Sequence, residues 1–451
     1  MNPQDTTVID ESLRPGDDGY EAAARTIFAT GHPAIVVRPR NPEGVAAALG
    51  DAAADGLAVS VRSGGHSPLG HGTNVGGMVI DLRYLDEVEV LDVERRIVRV
   101  GGGATWGQVS EALEPYGWAI TAGDTADVGV GGLTLGGGIG WLVRRDGLAI
   151  DNLVGARVVT ADGRLFTTSQ DEHAELFWAL RGGGGNFGVV VDFDFVAQPV
   201  PSVYFGTLTY EFVDPAALTA RWRDAMRTAP EELSSTIAIT PRTSTAAPSV
   251  VALFCYAGAP GAPESEADDA ILPLLDLGRV TSWSISERPY SEILEHAAPR
   301  PGLRLVTRNA LVSTLDAAAI HRLIRVHSSP DPTVIAIRSL GGAFGRVPAG
   351  ATAFAHREAE VMIVALLMLA ETASDAEVER ALVPWRSVEA HALGTYINFQ
   401  GSATASDLEA AYPPETYARL AAIKRAYDPS NRFALNHNIE PSTPRRGRSA
   451  P

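Results

Sequence analysis

Twelve residues, VRSGGHSPLGHG from Val61 to Gly72, set two histidines and an arginine among four glycines, between two apolar runs. A loop this rich in glycine adds little to a hydrophobic core. A neutral imidazole nitrogen is a nucleophile at physiological pH, so His66 has two uses open to it: a covalent bond to an electrophilic cofactor, or a hydrogen bond to a phosphate or carbonyl. Spacing alone does not choose between them. A second run, GDTADVGVGGLTLGGGIGWL, places Gly129, Gly131, Gly132, Gly136, Gly137, Gly138 and Gly140 within twelve residues. Inside a helix or strand each would cost about 0.5–1 kcal/mol, a loss usually offset by something bound. Glycines let backbone N–H groups converge on an anion and let a planar ligand lie against the main chain. Tight turns between short strands are the other reading of either cluster; two clusters among the strands of one domain favour the ligand. A third segment, GGGNFG, matches GxGxxG at Gly183, Gly185 and Gly188. It follows a helical pattern and precedes a strand, the reverse of the nicotinamide fingerprint, which rejects a Rossmann reading.

The elements that must position these loops are mixed. AIVVRP, AVSVRS, MVIDL, RIVRVGGG, ARVVT, RLFTT and VVVDFDFVAQP read as strands, and Asp162-Gly163 suits a tight hairpin. NPEGVAAALGDAAADG, with Asn41 as cap and Pro42 in the first turn, TWGQVSEALEPYG and EHAELFWALRGGG read as helices. Beyond Pro201 glycine thins out. STIAITPRT, SVVALFCYAG, TVIAIRSLGG and VMIVALLML read as strands; VDPAALTARWRDAMRTAP, TLDAAAIHRLIRVH, DAEVERALVPWRSVEAHAL and PPETYARLAAIKRAYDP read as helices. The fold class is therefore α+β, with a compositional boundary near residue 200.

Composition bounds the function. The chain has 451 residues, 45% hydrophobic, enough for two or three domains with cores of their own. A formal charge of −17 repels phosphate backbones and argues against nucleic acid as a partner. The N-terminal MNPQDTTVIDESLRPGDDG has neither a basic start nor an apolar run, so no secretory signal is expected. The apolar segment VMIVALLMLA falls short of the roughly 20 residues that span a bilayer. Cys255, the only cysteine, reads as a core thiol. The expectation is a cytoplasmic protein, off the membrane, with no metal site.

RSGGHSPLGHG, VGGGATWGQV, VGVGGLTLGGGIGWLVRRDGLAIDNLVGARVVTADGR, ELFWALRGGGGNFGVVVDF and YARLAAIKRAYDPSNRFALNHNIEP together resemble the berberine-bridge-enzyme-like FAD-linked oxidases. The resemblance covers about residues 30–200 and 335–440. It implies a PCMH-type FAD-binding domain of two α+β subdomains (1–199), a substrate domain with an antiparallel sheet covered by helices (200–388), a segment returning to the FAD domain (389–440) and a disordered tail (441–451). His66 falls where the family attaches the flavin 8α-methyl to histidine; such a substituent raises the flavin potential and prevents cofactor loss. Thr125 stands where many members carry a second, cysteinyl link, so a single histidyl link is expected. Arg62, Ser63, Gly64, Gly65, Ser67 and Gly70, the seven glycines of the second run, Asn152, Val189, Asn436 and Asn438 are the implied cofactor contacts.

Tyr396 in GTYINFQG matches the family tyrosine near the ring and, as a base, needs a pKa below the usual value near 10. Ile363 and Ala365 occupy the strand positions where plant members carry a polar or acidic residue; Glu358 and Glu360 read as solvated strand-edge charges first, with substitution for that residue as the alternative. Val154, in DNLVGA, is assigned as the gate that admits dioxygen. The implied function is an FAD-dependent oxidase of a hydroxylated small molecule, a sugar or secondary metabolite, with O2 reduced to H2O2. Alternatives on the same fold are a flavin dehydrogenase or an oxygenating or cyclising tailoring enzyme; a non-catalytic binding protein is the third. A monomer or weak homodimer is expected.

Overall fold

The computed structural model describes residues 9–243, 246–297 and 302–443; most of the expected tail, from residue 444, lies outside them. The first sheet orders its strands Ile9–Leu13, Ile35–Pro39, Met78–Asp81 and Val59–Arg62. The first pairing is antiparallel and the other two are parallel. Parallel neighbours require a crossover, supplied by helix Pro42–Ala54, whose Asn41 side chain accepts from the Gly44 amide at 2.8 Å. Val45, Ala48, Leu49 and Ala52 of that helix close over Ile35, Val37, Met78 and Ile80. Val59–Arg62 therefore delivers the His66 loop at its carboxyl end, where open parallel sheets bind ligands.

The second sheet is antiparallel, in the order Val88–Asp92, Ile97–Gly101, Val189–Val196, Leu153–Val159 and Leu165–Ser169. Asp162-Gly163 makes the expected hairpin, with Gly163 at φ 78° and its amide donating to the Thr160 carbonyl. One face packs Val98, Val100, Ala156, Val158, Phe193 and Phe195 against helices Trp106–Leu113, Val130–Gly136 and Ala174–Leu180. The other carries ion pairs, Arg157 to Asp192 and Arg99 to Asp194. The helix Val130–Gly136 is a departure from expectation: four of its seven residues are apolar or threonine, and Gly129 precedes it in extended conformation.

The third sheet has seven strands, all antiparallel, in the order Val280–Arg288, Val203–Tyr210, Ser249–Tyr256, Leu233–Thr240, Thr333–Ser339, Val361–Ala370 and Leu303–Val312. Helices Pro215–Thr228, Glu264–Leu275, Ala317–His327 and Asp375–Ala381 cover one face, burying Trp222, Leu274 and Leu323 against Ile237, Ile335, Ile337, Ile363 and Ala365. The opposite face turns Thr236, Ala238, Ala336, Arg338, Met362 and Val364 toward the first two sheets. The expected single helix DAEVERALVPWRSVEAHAL is broken, because Pro384 has no N–H to continue it; it resumes at Arg386–Glu389.

Helix Pro414–Tyr427 comes back to the second sheet, placing Leu420, Ala421 and Ile423 in the same core as Trp106 and Phe193. Lys424 and Asp428, both fully buried, pair at 2.8 Å. The ammonium also donates to the carbonyls of Asn186 and Phe433, which pins the segment carrying Asn436 and Asn438. Cys255 is fully buried, as expected of a core thiol. Among the described residues, no helix is long and apolar enough to cross a membrane.

Candidate active site

The two glycine loops meet backbone to backbone. A Cβ on Gly64 would stand 2.3 Å from the Gly129 amide nitrogen and 2.7 Å from the Asp127 carbonyl; one on Gly129 would stand 2.1 Å from the Gly64 nitrogen. Ser63 Oγ closes the contact by accepting from the Gly131 amide at 3.3 Å. Among the described residues, the amides of Ser63, Gly64, Gly65, His66 and Ser67 donate to no protein acceptor, leaving successive N–H groups available to an anion. Gly65 and Gly70, at φ 73° and 69°, turn this loop, and Gly70 donates to the Ser67 carbonyl. Gly132 faces open space: a Cβ there would meet nothing within 4 Å.

His66 is half-buried, and its imidazole makes no hydrogen bond to a described residue. Burial holds its pKa below the usual value, against the opposing charge of Asp127, so the ring is neutral and nucleophilic at physiological pH. Asp127 is itself engaged by His296 Nδ1 at 2.8 Å and the Ala297 amide at 3.0 Å. His71 and His437 meet edge to face, 5.2 Å between centroids. Burial and the neighbouring His437 push the pKa of His71 down to about 4. Beside them, Asn436 Oδ1, Asn438 Oδ1 and His437 Nε2 are buried without a partner among the described residues. Burying such atoms unpaired is costly, so a polar ligand there fits; FAD, with a pyrophosphate for the amides and ring heteroatoms for the carboxamides, has the right chemistry. When bound, it supplies a two-electron acceptor.

Between these loops and the third sheet lies a cavity of about 290 Å³. Asp124, Thr125, Trp141 and Ile293 form one wall, and Phe205, Thr236, Leu253, Arg338, Met362 and Val364 the other. Thr125 is thus at the junction of cofactor loop and cavity, bridged in parallel to Glu295. Asp124 and Arg338 pair across the cavity at 2.6 Å. Sequence reasoning missed both. The signal was present in TVIAIRS, where strand alternation puts Arg338 on the face opposite Ile335 and Ile337.

Several expectations require correction. Tyr396 does not face the cavity: it is 2% exposed, and its hydroxyl accepts from the Gly138 amide at 2.9 Å and Asn398 Nδ2 at 2.7 Å. Its pKa, expected to be lowered, is pushed up to about 12 by burial, although those hydrogen bonds oppose the shift. The aromatic of this motif that lines the cavity is Phe399, which has no hydroxyl. Val154 is 40% exposed at a bulged start of its strand and is not among the residues lining this cavity. The Arg62 guanidinium is spent on Asp81 and the carbonyls of Ala23 and Arg25. Asn152 is satisfied by the carbonyls of Asp146 and Leu148 and by Gln198, and the Val189 side chain is in the core.

Gly136, Gly137, Gly138 and Gly140 are required by protein neighbours: Asn398, Phe354, Ala149 and the Ala122 carbonyl all lie where a Cβ would go. Ile363 and Ala365 face the helices, so the cavity-facing pair on that strand is Met362 and Val364, also apolar. Glu358 is exposed as expected, whereas Glu360 is held by Arg227 and the Leu315 amide.

Comparison with known proteins agrees with this geometry. Residues 33–169 match the FAD binding domain family, and residues 395–440 match the family described as berberine and berberine like. The (R)-6-hydroxynicotine oxidase of Paenarthrobacter nicotinovorans is 33% identical, over 96% of each chain. The crystal structure of 6-hydroxy-D-nicotine oxidase from Arthrobacter nicotinovorans superposes with a TM-score of 0.85 at 30% identity, over 96% of this chain and 98% of that one. Glucooligosaccharide oxidase from Acremonium strictum, whose flavin is a 6-S-cysteinyl, 8α-N1-histidyl FAD, shares the fold at 24% identity, a TM-score of 0.81 and coverage of 97% and 98%. The chain belongs to the berberine-bridge-enzyme-like FAD-linked oxidoreductases: it is a flavoenzyme with a PCMH-type FAD-binding fold.

Proposed function

We propose that this chain is an oxidase that removes two electrons from a hydroxylated small molecule, with FAD attached through His66 alone and dioxygen as the terminal acceptor, yielding hydrogen peroxide. The observation that carries the reading is the half-buried imidazole of His66, unpartnered among the described residues, on a loop of undonated amides packed against Gly129. Thr125, at the cavity junction, has no thiol to form a second link. The oxidase names of relatives at 33% and 30% identity support the reaction class. In this reading residues 1–199 with 389–440 hold the cofactor and residues 200–388 form the substrate domain, working as a monomer or weak homodimer in the cytoplasm. Hydrogen peroxide released per substrate oxidised tests the acceptor: near-stoichiometric peroxide supports the oxidase, and none under air points to a dehydrogenase.

A further inference from the structure

With Tyr396 walled off, the proton of an oxidised hydroxyl needs another acceptor. Among the described residues, three that line the cavity are ionisable: Asp124, Glu295 and Arg338. The Glu295 backbone pairs with Asp124 and Ala126, and the residue is exposed to solvent. Arg338 is fixed on three sides. Its Nη2 donates to Asp124 Oδ2 at 2.6 Å and its Nε to Thr236 Oγ1 at 3.0 Å, and the guanidinium lies 4.8 Å from the Trp141 ring centroid. Its side chain is 8% exposed, and Nη1 makes no hydrogen bond to a described residue. On Asp124, the second oxygen receives, among the described residues, only the Thr125 hydroxyl, at 3.3 Å.

One donor and one acceptor are thus left over, side by side, in a cavity where nine of the fourteen lining residues are apolar. A hydroxyl group can accept from the first and donate to the second. The pair also stands near the two glycine loops, because Asp124 is three residues from Asp127, whose carbonyl lies against Gly64.

Resting on the oxidase reading above, we propose that Asp124, aligned by Arg338, accepts the proton of the substrate hydroxyl, and that the substrate is a compact, largely apolar alcohol. The O–H bond breaks and its proton passes to Asp124. The adjacent C–H bond breaks with its hydrogen and both electrons passing to oxidised flavin, and the C–O bond becomes a carbonyl. The carboxylic acid then returns its proton to water, to which the Asp124 side chain, 37% exposed, is open. Arg338 is a positioning residue. An oligosaccharide, with a hydroxyl on nearly every carbon, would leave most of its polar groups unpaired against these walls.

The test offers racemic 1-phenylethanol and cellobiose anaerobically to the holoenzyme and reads bleaching of the flavin band. Acetophenone, which has no carbinol hydrogen to give, is titrated against the flavin spectrum as a binding probe. The expected result is faster reduction by 1-phenylethanol than by cellobiose. Asp124→Asn slows that reduction by about 100-fold or more while acetophenone binds as before. Arg338→Gln weakens acetophenone by about tenfold or more, and Arg338→Lys restores part of the loss. Flavin content and Tm show that each variant is folded. Preference for cellobiose, failure of 1-phenylethanol to reduce the flavin, or a wild-type rate in Asp124→Asn overturns the proposal. If cellobiose bleaches the flavin and the reduced enzyme then gives peroxide when air is admitted, the oxidase reading survives that failure; if no substrate reduces the flavin, both fall.

Discussion

Gly64 and Gly129 face each other so closely that neither has room for a Cβ, each of which would fall 2.1–2.3 Å from the other's amide nitrogen. The contact joins the histidine loop to the second glycine loop, and backbone on both sides leaves nothing flexible to move aside. Gly129→Ala is therefore expected to force the loops apart, at a cost of about 1–3 kcal/mol from overpacking. Flavin content should fall with it, measured as the ratio of flavin to protein absorbance in purified samples.

Tyr396 provides the sharpest mutational contrast. Its hydroxyl is an acceptor for Gly138 and Asn398 inside the core, so Tyr396→Phe is expected to lower stability by about 1–3 kcal/mol through two orphaned donors. Flavin reduction should change by only a few-fold in rate. Loss of a general base would instead cost about 100-fold or more. Thermal melts and anaerobic reduction of one sample separate the two effects.

The buried pair of Lys424 and Asp428 anchors the C-terminal segment to the core of the second sheet. Lys424→Met leaves a carboxylate uncompensated at a fully buried site and is expected to cost about 3–5 kcal/mol, read as a drop in the urea midpoint. Replacing both residues by apolar ones should recover part of that loss.

His71 predicts a pH dependence. Its pKa in the folded chain is about 4, below the value of about 6.5 expected when unfolded, because burial and His437 disfavour the cation. Between these two values the unfolded chain binds more protons than the folded one, so stability rises with pH across that window and is lost as pH falls through it. His71→Gln should flatten the apoprotein's stability profile between pH 4 and 6.5, measured by urea denaturation at a series of pH values.

Much of this was legible in the sequence because local rules decide it. Asn41 before Pro42 caps its helix, Asp162-Gly163 turns its hairpin, and alternation gave the strands around residues 35, 98 and 190. Strands Val203–Tyr210, Val280–Arg288 and Leu303–Val312 were harder to see: Val280–Arg288 is an edge strand with little apolar alternation, and Leu303–Val312 is buried over most of its length. The helix in Val130–Gly136 was hidden by glycines that its close neighbours require. At the site, motif position located the loop of His66 and the segment of Asn436 and Asn438. It could not say that Arg62 and Asn152 are consumed by internal hydrogen bonds, or that Tyr396 points inward, since those depend on partners far away in sequence. The pairing of Asp124 with Arg338 spans 214 residues and only the folded sheet reveals it.

In the proposed reading His66 alone ties FAD to the chain. That attachment is tested by acid precipitation of purified wild-type protein and of His66→Ala, followed by intact mass. The wild type should give a yellow pellet carrying the mass of one FAD, and the mutant a colourless pellet with the flavin in the supernatant. Flavin released by acid from the wild type, or retained covalently by His66→Ala, would contradict it.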